Sequence, residues 1–165
     1  MRWKDDPART LLLSLYARAD ELVRGATCAC AAGEEGPRKV EELAPCCHFG
    51  LTGREPYPTA VELTEILHAV RARGARKAAL RPRHKLPLAD DPRRCPLLSD
   101  EGRCTIYASR PLGCRTFFCN LGEGPPKDAR AGLLEVARRI ADLSAKVSPR
   151  DPLPRPLTGA LRGVV

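Results

Sequence analysis

Eight cysteines in a chain of 165 residues restrict what this sequence can fold into more than any other feature. They come in four pairs, with the spacings C-x-C, C-C, C-x8-C and C-x4-C. The residues are Cys28, Cys30, Cys46, Cys47, Cys95, Cys104, Cys114 and Cys119. Each pair lies in a predicted turn or at the end of a predicted element, where backbone amides can point at a sulfur and soften its charge. None lies on an apolar helical stripe, so a role as core filler is not favoured.

Whether the cysteines bind metal or form disulfides depends on the cellular compartment of the protein. Residues 1–6 are charged, and the apolar run of residues 11–15 is far too short to span a membrane. We therefore expect a cytoplasmic protein without a membrane segment. Thiols stay reduced in the cytoplasm, so the eight cysteines favour metal binding over a disulfide framework. Unliganded or redox-active thiols are the remaining alternative.

The spacings bear on which metal is bound. No C-x2-C knuckle is present, so the pattern is not that of an ordinary zinc ribbon or finger. Adjacent side chains at Cys46 and Cys47 diverge, which suits two ions or a polynuclear cluster better than one tetrahedral ion. Thiolates suit both candidates, so we predict an iron–sulfur cluster or zinc, in one centre or two. His48 is the best non-cysteine candidate, with a surface histidine as its alternative, whereas His68 and His84 lack a ligand pattern.

The formal net charge of +8 would ordinarily indicate an anionic partner such as nucleic acid. Thiolates change this balance, because eight of them around two divalent ions would leave only about +4. Residues 71–85 hold seven Lys or Arg and no acid, but no aromatic residue is interleaved for base stacking. A nucleic-acid-binding module is therefore an alternative that the sequence does not favour.

Hydrophobic periodicity predicts three amphipathic helices. The first spans about 7–23, with Asp6 as its cap; the second begins at the capping box of Thr59 and Glu62 and ends at Gly74; the third spans about 128–147. Their apolar stripes contain Leu12, Leu15, Tyr16, Ala19, Leu22 and Val23, then Leu63, Ile66, Leu67 and Val70, then Leu133, Val136, Ala137, Ile140, Leu143 and Val147.

The cysteines occupy the stretches between these helices. Residues 95–104 are predicted to form a tight loop or hairpin, and a short helix opened by Ser109 and Pro111 carries Cys114. The predicted fold class is mainly α, a small helical domain with irregular Cys-rich loops forming a metal cluster. A single metal-binding domain is expected over 1–147, followed by a Pro- and Arg-rich tail over 148–165 that is extended or disordered.

The later cysteines lie in a longer motif that is similar to a known family. It consists of CPLL starting at Cys95, GRCTIY ending at Tyr107, and RPLGCRTF starting at Arg110. This resembles the pattern C-P-x-L…C-x-I-Y-x-x-R-P-x-x-C-R-x-F of the YkgJ-type cysteine-cluster family. The resemblance covers roughly residues 46–119. Members of that family are described as zinc- or iron-chelating and are often labelled iron–sulfur proteins.

The resemblance implies metal-ligand roles for Cys46, Cys47, Cys95, Cys104 and Cys114. The earlier cysteines depart from it, because the family's first cluster usually reads C-x2-C-x2-C-C, whereas here fifteen residues separate Cys30 from Cys46. Cys28, Cys30 and Cys119 complete the predicted ligand set. Relatives such as flagellin lysine N-methylases contain the same kind of cluster. An iron–sulfur oxidoreductase or a methyltransferase-related enzyme is therefore an alternative function.

Arg110 and Arg115 flank Cys114 and are predicted to bind the cofactor, by neutralising thiolate charge or holding an anionic ligand. A structural ion pair or a solvated face is the alternative. No Gly-rich nucleotide loop, Ser/His/Asp arrangement or clear paired-carboxylate motif is present, so the catalytic residues, if any, stay unknown. The expected partners are metal ions, with a protein partner left open.

Overall fold

A computed structural model of the chain describes residues 2–26, 45–73, 94–99, 103–117 and 125–162. The helices are α1 (Pro7–Leu22), α2 (Phe49–Thr52), α3 (Ala60–Ala72), α4 (Leu112–Arg115), α5 (Ala129–Val147) and α6 (Leu157–Ala160). Single 3-10 turns precede or join them at Trp3–Asp5, Pro45–Cys47 and Tyr107–Ser109. Within these ranges no strand forms, which confirms the mainly helical fold. No helix described there is long and apolar enough to cross a membrane.

The three long helices begin where the sequence predicts. The Asp6 side chain accepts a hydrogen bond from the Ala8 amide at 2.8 Å, and Pro7 occupies the first position of α1. At the start of α3, the Thr59 amide donates to Glu62 Oε2 at 2.9 Å in the expected capping box. Helix α5 matches its predicted span to within one residue. The predicted stop at Gly74 lies outside the described residues.

The helix core, as we call it, is the hydrophobic cluster between α1, α3 and α5. It comprises the buried residues Leu12, Leu15, Tyr16, Ala19, Val61, Val136, Ile140 and Leu143. Gly132 lets α5 lie close to α1, because a Cβ at this position would lie 2.9 Å from both methyl carbons of Leu22. Most of these residues belong to the predicted stripes of α1 and α5, and burying apolar side chains of this size stabilises by about 1.5–3 kcal/mol each.

The cysteine core is the second hydrophobic cluster. It comprises Phe49, Ile66, Val70, Cys95, Leu97, Leu98, Ile106, Leu157 and Leu161, with Cys47 and Cys104 packed against it. Helix α3 is shared between the two clusters, since Val61 faces the helix core whereas Ile66 and Val70 face the cysteine core. The cysteine loops are therefore built onto the side of α3 that α1 and α5 leave open.

The end of the chain differs from its prediction. An extended or disordered tail was expected over 148–165, but residues 157–160 form α6. Leu157 and Leu161 are both 1% exposed and belong to the cysteine core. The expectation is wrong for this stretch because leucines one turn apart present a single apolar face that can be buried. The prolines that precede Leu157 determine only where this helix begins. The domain boundary at residue 147 stays a prediction.

Candidate metal centre

Two chain segments about 50 residues apart in sequence are joined beside the cysteines. The turn Pro45–Cys47 carries Cys46 and Cys47. The Cys95 amide donates to the Cys47 carbonyl at 2.7 Å, and His48 and Arg94 form an antiparallel bridge next to it. Cys95 is only 6% exposed. The backbone pairing thus places the vicinal cysteines and Cys95 side by side, which the sequence spacing alone does not reveal.

A third segment pairs with the second and brings Cys104 to the same place. Leu98 and Cys104 form an antiparallel bridge, and the Thr105 amide donates to the Leu97 carbonyl at 2.9 Å. The predicted loop or hairpin is consistent with this pairing, although the residues at its tip, 100–102, lie outside the described residues. Cys114 lies on α4, the short helix predicted to carry it.

The thiols of the described cysteines influence one another. The Sγ atoms of Cys46 and Cys47 are 3.9 Å apart. The hydrogen bond between these two thiols lowers the pKa of Cys47. A hydrogen bond with Cys95, burial, and the charges of Cys95 and Cys104 outweigh this effect and raise the pKa of Cys47 to about 12. Burial first, and then the charges of Cys47, Cys104 and Cys46, raise the pKa of Cys114. Among the described residues no disulfide joins these cysteines.

These pKa shifts bear on whether the residues fit a metal. Neighbouring sulfurs that are buried or half-buried repel one another as thiolates, and a cation among them would stabilise the thiolate form. Soft thiolate donors are what zinc, iron and iron–sulfur clusters bind. The donor chemistry therefore fits the predicted cofactors.

The arrangement of the described side chains does not by itself complete a site. No three His, Cys, Asp or Glu side chains among the described residues form a group that could hold a metal ion. Cys28, Cys30 and Cys119, which the sequence predicts as ligands, lie outside the described residues. The ligand set stays a prediction as a whole, with five of its eight members placed in or near the cysteine core.

His48 has an unusual environment for a loop histidine. Its Nε2 is buried and has no hydrogen-bond partner within the described part of the chain. Burying such a group without a partner costs about 1–3 kcal/mol. His48 follows Cys47 directly and pairs through its backbone with Arg94, which precedes Cys95. A buried nitrogen does not fit the alternative of a surface histidine, and it is compatible with His48 as a candidate ligand.

The guanidinium of Arg115 is held by protein groups. Nη1 donates to Asp20 at 2.5 Å, Nη2 to the Ala108 carbonyl at 2.5 Å, and Nε to the Arg110 carbonyl at 2.9 Å. The group also stacks over Tyr16 at 4.3 Å from the ring centroid and is 5% exposed. These contacts match the structural ion pair that the sequence leaves open, and they tie the segment after Cys104 to α1.

Arg110 is less fully engaged. Its closest acid contact is 3.9 Å, from Nη2 to Asp20, and its guanidinium lies 4.0 Å from the Tyr107 ring centroid. Nε is buried and has no hydrogen-bond partner among the residues described. Its charge lowers the pKa values of Cys104 and Cys114, although burial dominates both. Of the two arginines, Arg110 is therefore the one whose surroundings suit thiolate compensation.

Two buried carboxylates on α3 were not singled out as site-forming residues by the sequence. Glu65 is fully buried and accepts hydrogen bonds from Trp3 at 2.8 Å, from Arg9 at 2.7 Å and from Ser109 at 2.9 Å. Glu62 accepts from the Leu112 amide at 2.7 Å as well as from the capping box. The signal in the sequence was a pair of acids spaced i, i+3 beside the predicted apolar stripe.

The carboxylates connect the two cores. Ser109 and Leu112 belong to the segment between Cys104 and Cys114, whereas Arg9 and Trp3 belong to the amino-terminal helical region. Hydrogen bonds to charged groups contribute about 1.5–3 kcal/mol each when buried. The loop that carries two predicted ligands is therefore fixed to α3 by hydrogen bonds that do not depend on a metal.

A small helical scaffold with cysteine-bearing loops packed on its second hydrophobic core defines the class of this protein. The chain belongs to the CxxCxxCC family, described as "putative zinc- or iron-chelating domain", whose model matches residues 42–131, more than half of the chain. This confirms the predicted resemblance. The match contains Cys46, Cys47, Cys95, Cys104, Cys114 and Cys119, and excludes Cys28 and Cys30. No curated protein and no solved structure matches the chain.

Proposed function

We propose that this protein binds zinc or iron through its cysteines and that the bound metal fastens the loops of the cysteine core to one another. One observation carries the proposal. Three segments separated along the sequence place Cys47, Cys95 and Cys104 at one buried core, inside the family match. Metal chelation is the function that the family description implies.

The proposed ligands are the cysteines of that core together with their neighbours in the sequence pattern. They are Cys46, Cys47, Cys95, Cys104 and Cys114, extended by Cys28, Cys30 and Cys119. The adjacency of Cys46 and Cys47 supports a two-ion site or an iron–sulfur cluster over a single tetrahedral ion. Eight thiolates suffice to close two structural sites, so we propose a structural role. A reducing compartment such as the cytoplasm suits this role.

In this proposal the cysteines, Arg110 and the residues that hold the loops have different roles. The cysteines supply soft anionic donors, and Arg110 offsets part of their charge. Glu62, Glu65 and Arg115 hold the segment between Cys104 and Cys114 in place before any ligand is bound. The metal itself would supply the positive charge that lets buried sulfurs remain thiolates.

Metal and acid-labile sulfide should be measured on the full chain purified without oxygen, together with its absorption spectrum. Zinc without colour or sulfide supports a structural or chelating site. Iron with sulfide and a broad band near ~400 nm supports an iron–sulfur cluster and makes redox chemistry the next question. Protein that is correctly folded, reduced and free of both metals, and that binds neither on addition, would contradict the proposal.

A further inference from the structure

Residues 152–162, the C-terminal segment, lie outside the family match, which ends at residue 131. Leu157 and Leu161 of this segment are each 1% exposed. Both belong to the same buried cluster as Cys95, with Cys47 and Cys104 packed against that cluster. A segment that the family pattern does not include therefore contributes two of the most deeply buried side chains to the cysteine core.

The C-terminal segment is fixed in place by directed hydrogen bonds. The Leu157 amide donates to the Pro56 carbonyl at 3.1 Å, and the Arg155 amide donates to the Pro58 carbonyl at 3.2 Å. The Glu55 carboxylate accepts from both the amide and the hydroxyl of Thr158, each at 2.6 Å.

These bonds connect the C-terminal segment to the chain between the first cysteine loop and α3. Glu55 and Pro56 follow α2, which begins at Phe49, another member of the cysteine core. The segment thus braces the residues after Cys47, while its leucines are members of the hydrophobic cluster that contains Cys95 and against which Cys104 packs. Well-packed interiors transmit displacement, so removing a leucine there would shift the backbone that carries the sulfurs.

We propose that Leu157 and Leu161 are positioning residues of the metal centre: they form an apolar floor that sets the spacing of Cys47, Cys95 and Cys104. The proposal rests on the metal-binding function proposed above. Groups around metal ligands, though not ligands themselves, typically change metal affinity by about 10- to 100-fold when they are altered. A residue of the helix core with the same burial should have no such effect.

The test uses Co²⁺ as the probe, added to the reduced, metal-free full chain, because thiolate-to-cobalt absorption reports affinity and its d–d bands report geometry. Four proteins are compared: wild type, Leu161→Ala, Leu161→Met and the control Leu15→Ala. Leu15 is 2% exposed in the helix core, so its truncation costs comparable stability away from the cysteines. Thermal unfolding of all four is recorded in parallel.

Leu161→Ala is expected to weaken Co²⁺ binding about 10-fold or more and to change the d–d bands. Leu15→Ala should lower the melting temperature but keep the wild-type affinity and spectrum. Leu161→Met should also keep the wild-type affinity and spectrum, because methionine has about the same volume as leucine. Equal affinities and spectra for Leu161→Ala and Leu15→Ala would overturn the proposal. If wild type itself gives no thiolate–cobalt band and binds neither zinc nor iron on addition, the proposed function fails instead.

A milder variant covers the case in which Leu161→Ala does not fold. Thr158→Val removes the hydroxyl that donates to Glu55 but keeps the side-chain shape and the amide bond. We expect a smaller loss of Co²⁺ affinity, of several-fold, with α6 retained. An affinity identical to that of wild type in this variant, with Leu161→Ala unfolded, would contradict a positioning role for the segment.

Discussion

The helix core and the cysteine core have similar numbers of buried apolar side chains but are built in different ways. The helix core joins regular stripes of α1, α3 and α5. The cysteine core joins loops, single bridges and a short terminal helix around one side of α3. Loops supply few repeating backbone hydrogen bonds, so other interactions must hold their geometry. Here those interactions come from buried carboxylates, the C-terminal segment and, in our proposal, metal–thiolate bonds.

The helix core is a regular packing of apolar stripes, so we expect it to fold without the metal. A chain of this length can bury a sizeable core without cross-links. The metal is therefore proposed to order one part of the molecule rather than all of it.

Losing a ligand should affect the cysteine core most. Cys104→Ser is expected to lower metal content and to cost on the order of 5 kcal/mol of the unfolding free energy of the cysteine core, about 10–20 °C in the temperature at which that core opens. Metal analysis and thermal unfolding followed by circular dichroism check this. Helical signal from α1 and α5 should persist above the temperature at which the cysteine core opens. Unchanged metal content and melting temperature would remove Cys104 from the ligand set.

Truncating a side chain in the helix core should destabilise the fold without changing the metal content. Leu15→Ala leaves a cavity among α1, α3 and α5 and is expected to cost about 3 kcal/mol. Chemical denaturation measures the loss, and metal content per folded chain should equal that of wild type. A simultaneous loss of metal would show that the two cores form one cooperative unit.

Breaking the connection between the cores should give a smaller loss. Glu65→Gln removes the charge that pairs with Arg9 and is expected to cost about 2–3 kcal/mol, since the side chain of Glu65 is fully buried and that of Arg9 is 25% exposed. Glu21→Gln is the matched control. It breaks an ion pair with Arg18 whose side chains are both 55% exposed, so a change within about 0.5 kcal/mol is expected. Equal losses in the two variants would refute a special role for Glu65.

The Glu65 carboxylate should also make the stability of the protein depend on pH. Burial alone would raise the pKa of Glu65, but hydrogen bonds from Arg9, Trp3 and Ser109 lower it below its ordinary value. Because the pKa is lower in the folded state, this stabilisation is present above the unfolded pKa of about 4.3 and is lost as the pH falls through the folded pKa. The stability difference between wild type and Glu65→Gln should shrink below about pH 4. Denaturation at several pH values tests this, and a constant difference would contradict it.

The predictable part of the fold follows from local chemistry. Asp6, Pro7 and the capping box of Thr59 and Glu62 mark helix starts that short-range hydrogen bonds determine, and the 3.6-residue period marks the buried faces. The quoted motif around Cys104 led to the correct family. These features could be identified because each depends on residues only a few positions apart.

Long-range features could not be identified in this way. The pairing of Cys95 with Cys47, the contact of Arg115 with Asp20 and the burial of Leu157 each join residues tens of positions apart. A proline-rich stretch indicates irregular backbone but does not show whether the leucines after it find an apolar surface. Only the folded arrangement supplies that surface, which is why the terminal segment was expected to be extended or disordered.

Hydrogen–deuterium exchange with and without a chelator tests most directly the claim that metal orders the cysteine core alone. Amides in 45–49, 94–98 and 103–106 should exchange faster once the metal is removed, whereas those in α1 and α5 should keep their protection. Loss of protection spread evenly over both cores, or no change anywhere in a protein shown to have lost its metal, would contradict the account.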